Sequence, residues 1–137
     1  MNAILDTSFL FALTDKSDRN HVAVLTVAQT LSDHLILPIV VLPEICYLIA
    51  SRLGHSAMRS FLQNLAIGNI TMETLSIQDL QRVNSILEQY ADSHLDFTDA
   101  AIVATAERLN ITRILTLDRR DFLMIRPNHC NSFDVLP

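Results

Sequence analysis

The sequence predicts an α/β domain: a short, mostly parallel β-sheet with helices over both faces. Three observations carry this. Short apolar runs of strand character alternate with longer stretches in which apolar residues recur at three- and four-residue steps. The chain has 137 residues, 50% of them apolar, which is enough to bury a core without disulfides or structural metal. No repeat, low-complexity tract or Gly/Ser/Pro linker divides it, and Gly54 and Gly68 are its only glycines, so one domain is expected over residues 1–137.

The opening Asn2-Ala-Ile-Leu-Asp6-Thr7-Ser8 reads as a strand closing on an acid, followed by hydroxyl residues able to cap a helix. Helical periodicity runs from His21 to Leu31 through Val22, Leu25, Val27, Ala28 and Leu31, before a strand at Leu35 to Leu37. The next helix ends near Arg52 and starts at about Ile39 or Pro43. Proline suits a helix's first position but kinks its interior, so the start is left open. Ser56 to Ile67 reads as a helix and Asn69 to Leu75 as a strand. Ser76 to Tyr90 is a helix opened by the capping pattern Ser76-Ile-Gln-Asp79. Thr98 to Asn110 is a further helix with Asp99 in its first turn, and Arg113 to Leu117 is a strand ending on Asp118. A last strand falls near Phe133 to Leu136.

Parallel sheets of this kind carry their sites at the carboxyl ends of the strands, and Asp6 and Asp118 are expected there. Glu44, between Val40-Val-Leu-Pro43 and Ile45-Cys-Tyr-Leu48, is expected to lie partly buried, and a buried acid requires a partner. Carboxylates brought together repel, so they either take up protons at raised pKa or bind cations. Oxygen-only ligands favour Mg²⁺ or Mn²⁺ over zinc. Such an ion activates a water and neutralises phosphate charge, which points to hydrolysis of a phosphodiester leaving a 5′-phosphate and a 3′-hydroxyl. Each acid also has a local explanation. Asp6 can cap a helix, Asp99 can answer a helix dipole, and Asp118 can begin a turn before Arg119-Arg120. Asp96 and Thr98 compete to cap the helix that carries Asp99. Ser8 and Thr116 are supporting hydroxyls able to orient carboxylates or waters, although Thr116 is also an ordinary strand residue.

The formal charge of −5 argues against a protein that coats nucleic acid by bulk attraction, but adding two divalent cations, four positive charges, leaves −1. Arg119, Arg120 and Arg126 follow Asp118, and Lys16 and Arg19 follow Asp6; both groups are candidates to meet RNA at the rim of the same edge, or are plain solvated residues. The five histidines show no paired ligand spacing, and Cys46 and Cys130 form neither a CxxC pair nor a zinc pattern, which leaves them as structural thiols. With Pro38, Pro43 and Glu44 interrupting the longest apolar stretch and no leader pattern at the start, a soluble cytoplasmic protein without membrane contact is expected. A phosphotransfer fold would need a lysine late in the chain, and Lys16 is the only one; the Asp-x-Asp of a dehalogenase is replaced by Asp6-Thr-Ser8.

Taken together, Ile4-Leu-Asp6-Thr-Ser8, Glu44 in an apolar helix, Asp99-Ala-Ala-Ile102 opening a helix, and Leu115-Thr-Leu-Asp118 followed by Asp121-Phe122 resemble the PIN-domain family, in length and layout its VapC toxins. The resemblance covers Asn2 to Phe122 at least. It implies a three-layer α/β/α sandwich, Mg²⁺- or Mn²⁺-dependent endoribonuclease activity, homodimers and inhibition by a cognate VapB-type antitoxin. Carried over, it makes Asp6, Glu44, Asp99 and Asp118 the acidic positions, with Asp6 and Asp99 as direct metal ligands and a third contact from Glu44 or Asp118. Pro43 before Glu44 and Asp96 before Asp99 depart from the pattern. A PIN fold kept only as an interaction module is the rival reading; it predicts loss of one or more of the four acids, and all four are present.

Overall fold

The computed structural model describes Met1–Pro137. Its strands are β1 (Asn2–Leu5), β2 (His34–Pro38), β3 (Ile70–Glu73), β4 (Arg113–Leu115) and β5 (Asp134–Leu136). Its helices are α1 (Thr7–Thr14), α2 (His21–Thr30), α3 (Val41–Leu53), α4 (His55–Ile67), α5 (Ile77–Gln89), α6 (Phe97–Leu109) and α7 (Arg119–Met124). The sheet order is β3-β2-β1-β4-β5, and every pairing is parallel, so the expectation of a mostly parallel sheet becomes an entirely parallel one.

Right-handed crossovers fix the layers. Passing outward from β1 through β2 to β3 lays α1 to α4 on one face; the return from β3 to β4 lays α5 and α6 on the other. The packing agrees, since α1 meets α2 and α3, α3 meets α4, and α5 meets α6. With both faces covered, β1 loses its alternation: Ala3, Ile4 and Leu5 are all buried. Complete burial of an Ile or Leu side chain such as Ile4 or Leu5 stabilises the fold by roughly 1.5–3 kcal/mol.

Local chemistry sets the helix ends. Ser76 and Asp79 form a full capping box on α5. Asn110, in the left-handed region at φ 55°, closes α6, and Gly54, at φ 103°, lets the chain turn from α3 straight into α4. Helix α3 begins at Val41, which puts Pro43 in its first turn, where a backbone N–H has no partner within the helix to lose. One expectation is corrected here: the strand ending on Asp118 is shorter, stopping at Leu115. Asp118, for which a turn was the local alternative, instead caps a helix, α7, its side chain accepting from Asp121 N. No helix is long and apolar enough to cross a membrane.

Candidate active site

The strand order reverses between β1 and β4, and the carboxyl ends of these two strands open a crevice of the kind in which α/β sheets bind ligands. A cleft of about 200 Å³ lies there, lined by Asp6, Thr7, Ser8, Glu44, Leu48, Asp96, Asp99 and Asp118. Thus the four acids singled out in the sequence, and Asp96 beside them, share one cleft although they span Asp6 to Asp118.

Each acid is delivered by a helix start. Asp6 ends β1 and caps α1 by accepting from Thr7 N at 2.8 Å. Asp96 caps α6 by accepting from Asp99 N at 2.8 Å, which decides the cap in its favour over Thr98. The Thr98 hydroxyl instead donates to Glu44 Oε2 at 3.4 Å, linking the first turns of α6 and α3. Capping and convergence are therefore one arrangement, because helix N-termini gathered at one edge bring their capping acids with them. Glu44 departs from expectation: it is exposed, since Val41, Ile45 and Ile49 form the buried face of α3 and Glu44 falls to the side of it.

Asp6 is the most tightly held of the set. Thr116 Oγ1 donates to Asp6 Oδ2 at 2.6 Å, and Ser8 Oγ donates to the same oxygen at 3.3 Å. Thr116 Oγ1 also accepts from Asp118 N at 3.0 Å, and Ser8 Oγ from Leu117 N at 2.9 Å. The two hydroxyls thereby tie the ends of β1 and β4 together and fix the carboxylate between them.

The electrostatics are those of an unneutralised cluster. Burial raises the pKa of Asp6, its hydrogen bonds oppose the rise, and Glu44 adds to it. Burial raises Asp99 to about 8, with further upward pushes from Asp96, Asp6, Asp118 and Asp121. Asp118 is raised by burial and by Asp121 and Asp96, against the backbone hydrogen bond that lowers it. Carboxylate oxygens of Asp99, Asp118 and Asp121 lie within 4.8 Å of one another. One further group is left without a partner: the buried hydroxyl of Thr7, on the wall of this cleft.

These features fit a small divalent cation. The donors are all oxygen, several converge within a few ångströms, and the repulsion among them is of the kind a cation relieves. Asp121 was not among the candidates read from the sequence. The signal was nonetheless there: Asp118-Arg-Arg-Asp121 repeats the spacing of Asp96-Phe-Thr-Asp99, an acidic cap followed three residues later by a second acid.

None of the basic candidates lines the cleft. Arg119 Nη1 donates to the carbonyls of Val135 at 2.9 Å and Pro137 at 2.7 Å, pinning β5. Lys16 lines a separate, mainly apolar groove of about 570 Å³ between α1 and α4. Arg126 lies with His129 and Cys130 along a polar loop pocket. Arg120 is exposed beside Asp121.

Residues 3–126 match the model of the PIN domain. The chain belongs to the PIN domain family. Among its relatives, Ribonuclease VapC26 of Mycobacterium tuberculosis (strain ATCC 25618 / H37Rv) is 34% identical over 134 residues, covering 98% of this chain and 99% of that protein. The PIN fold is also seen in solved structures. Mycobacterium tuberculosis VapC20, a Sarcin-Ricin loop cleaving toxin, superposes with a TM-score of 0.80 at 19% identity, over 86% of this chain and 91% of that one. VapBC2 from Rickettsia felis, bound to a DNA fragment from their promoter, gives 0.73 at 15% identity, over 100% of both chains. The three-layer PIN architecture implied by the sequence is the one observed.

Proposed function

We propose that this PIN domain is a metal-dependent endoribonuclease, the toxin of a VapBC-like toxin–antitoxin pair, acting in the cytoplasm with residues 1–137 as one unit. The observation that carries this reading is the convergence of Asp6, Glu44, Asp96, Asp99 and Asp118 on one cleft, with Asp121 against Asp99 and Asp118 and no cation of the chain among them. The 34% identity to a protein named a ribonuclease supports RNA as the substrate. Toxin–antitoxin complexes among the solved PIN structures support a VapB-like partner; a homodimer is the assembly we expect.

In this reading Asp6, Asp99 and Asp118 hold a Mg²⁺ or Mn²⁺ ion, with Asp121 or Glu44 completing the set directly or through water. When bound, such an ion neutralises phosphate charge and lowers the pKa of a water beside the scissile bond. The chain's own residues do the positioning. Thr116 and Ser8 hold the carboxylate of Asp6 in place where it lines the cleft. Asp96 fixes the first turn of α6, and with it Asp99. Retention of all four acids supports the enzyme over a PIN fold kept only for docking.

The test is cleavage of end-labelled cellular RNA by antitoxin-free protein with Mg²⁺, with Mn²⁺ and with EDTA, beside Asp6→Asn. Discrete products that require metal and vanish in the variant are expected. Absence of cleavage by folded, metal-bound protein would transfer the assignment to a non-catalytic module.

A further inference from the structure

The turn that carries Asp118 joins the end of β4 to the start of α7, and residues on both sides of Asp118 are tied to β5 and the proline after it. Thr116 N donates to Leu136 O at 2.9 Å. Arg119 Nη1 donates to Val135 O at 2.9 Å and to Pro137 O at 2.7 Å. The strand that receives these bonds is itself anchored. It pairs in parallel with β4, Asp134 accepts from Arg113 Nε at 2.8 Å, and Phe133 meets Phe122 of α7 edge-on, with ring centroids 6.3 Å apart.

This turn feeds the acid cleft. Thr116 Oγ1 donates to Asp6 and accepts from Asp118 N, and Asp118 accepts in turn from Asp121 N. Of the three acids whose oxygens lie within 4.8 Å of one another, Asp118 caps α7 and Asp121 sits in its first turn, while Asp99 comes from α6. Helix α7 has only six residues. So short a helix has little stability of its own, and contacts from outside decide where its first turn stands. Buried Phe122 packs it on the core, and Arg119, its first helical residue, fixes its start to β5.

The use Arg119 makes of its charge is informative. It stands next to Asp118 and two residues before Asp121, yet it forms no ion pair with either, and both its hydrogen bonds go to backbone carbonyls. Elsewhere an arginine does neutralise a buried acid, as Arg108 does for Asp79. An arginine seated among Asp99, Asp118 and Asp121 would take the place of a metal ion. Held by carbonyls, Arg119 orders the acids and leaves their oxygens to an ion from outside.

We infer that Arg119 is a positioning residue for the metal site: by tying the start of α7 to the carbonyls of Val135 and Pro137, it holds Asp118 and Asp121 where they can share a divalent cation with Asp99. Metal affinity is thereby set in part by β5, although β5 contributes no ligand. This rests on the metal-dependent nuclease reading of the cleft. The sign separates it from bulk electrostatics. Removing a positive charge beside an acid cluster by itself strengthens cation binding, whereas releasing the first turn of α7 weakens it. An arginine that contacted phosphate would differ again, since its loss weakens RNA binding and leaves metal affinity alone.

The test is Mn²⁺ binding to the full chain, to Arg119→Met and to Arg119→Lys, read from the electron paramagnetic resonance signal of free Mn²⁺. Cleavage of end-labelled RNA is titrated with Mn²⁺ alongside. Methionine keeps an unbranched stem without donors, and lysine keeps a nitrogen able to donate to both carbonyls. Arg119→Met should weaken Mn²⁺ binding roughly tenfold, the lower end of the range for residues that support metal ligands. The Mn²⁺ needed for half-maximal cleavage should rise by the same factor, and Arg119→Lys should recover most of the loss. Removal of residues 135–137 should weaken binding at least as much, and adding Arg119→Met to that shortened chain should change nothing further, because both act through one contact. If circular dichroism shows the shortened chain unfolded, the two point variants decide. Mn²⁺ binding that is unchanged or tighter in Arg119→Met overturns the positioning role: a raised KM for RNA then makes Arg119 a phosphate contact, and a lowered Tm alone makes it a structural clamp on β5. Mn²⁺ binding without cleavage by the wild type, with the loss in Arg119→Met intact, would remove the nuclease reading and leave the positioning role standing. Absence of Mn²⁺ binding by the wild type would overturn both.

Discussion

Asp79 and Asp99 occupy equivalent places in two helices. Each is the third residue behind an oxygen-bearing cap, Ser76 on α5 and Asp96 on α6, and each is almost fully buried, at 4% and 8% exposure. Their electrostatics are opposite. Burial pushes Asp79 up, but Arg108 Nε donates to both its oxygens at 3.0 Å and Ser76 N donates to Oδ2, and the net result lies below the ordinary value. Burial pushes Asp99 up too, and its neighbours are four more acids, so it rises to about 8. The same local motif thus gives a structural acid where the fold supplies the cation and, on our reading, a functional one where the cation has to come from outside. That a buried carboxylate needs a partner is a rule of local physics; whether the partner belongs to the chain is decided by what packs against it.

The contrast can be broken from the Asp99 side most strongly. Asp99→Asn should lower metal-dependent RNA cleavage by roughly a hundredfold or more, since even groups that merely support metal ligands are worth about 10–100-fold. Circular dichroism should be unaltered, because the cap to Asp99 N is a backbone bond. If cleavage survives, Asp99 is not the functional member of the pair. On the other side, Arg108→Ala strips Asp79 of its cation and should cost about 1–3 kcal/mol in urea unfolding, while cleavage per folded molecule stays within about twofold.

Thr116→Val tests how far Asp6 depends on its fixed position. Loss of the 2.6 Å bond should reduce cleavage about tenfold and cost about 1–3 kcal/mol of stability, because Asp6 and Asp118 N both lose a buried partner, and Ser8→Ala, losing a 3.3 Å bond to Asp6, should reduce cleavage less.

A pH series separates the two aspartates by sign. Asp99 has a folded pKa near 8 against an ordinary 3.8, so the folded state holds a proton that the unfolded state releases between those values. In EDTA its contribution therefore becomes steadily unfavourable as pH rises from about 4 to 8. Asp79, lowered on folding, contributes stability that is present above pH 4 and lost as pH falls below it. Asp99→Asn should consequently raise the EDTA-measured Tm at pH 8 by a few degrees and leave it unchanged near pH 4. Addition of Mn²⁺ at pH 8 should raise the wild-type Tm and not that of the variant. The smallest effect is expected from Asp96→Asn: asparagine caps as well as aspartate, so stability should move by less than about 0.5 kcal/mol and cleavage by less than in Asp99→Asn. A larger loss of cleavage at Asp96 would reverse the assignment within that pair.

The sequence by itself determined the elements and much of the site's composition. Periodicity over Thr98 to Asn110, the box at Ser76 to Asp79 and the strand closing on Asp6 are short-range signals, carried by residues within a turn or two of one another, and the helices and strands formed where those signals lie. The acids were legible for the same reason, as residues at strand ends and in first turns. What local pattern misses is anything that depends on a distant neighbour. Glu44 looked buried between apolar runs, yet the face of α3 that packs inward excludes it. Arg119 looked like a free cation beside Asp118, yet β5 returns from the chain's end to hold it. Asp121 joined the cluster only once Asp118 had started α7 beside Asp99. Above all, the tertiary structure decided that Asp79 receives Arg108 while Asp99 receives further carboxylates, because burial is written in hydrophobic pattern but the identity of a buried charge's neighbour is set by which helices the sheet order brings together.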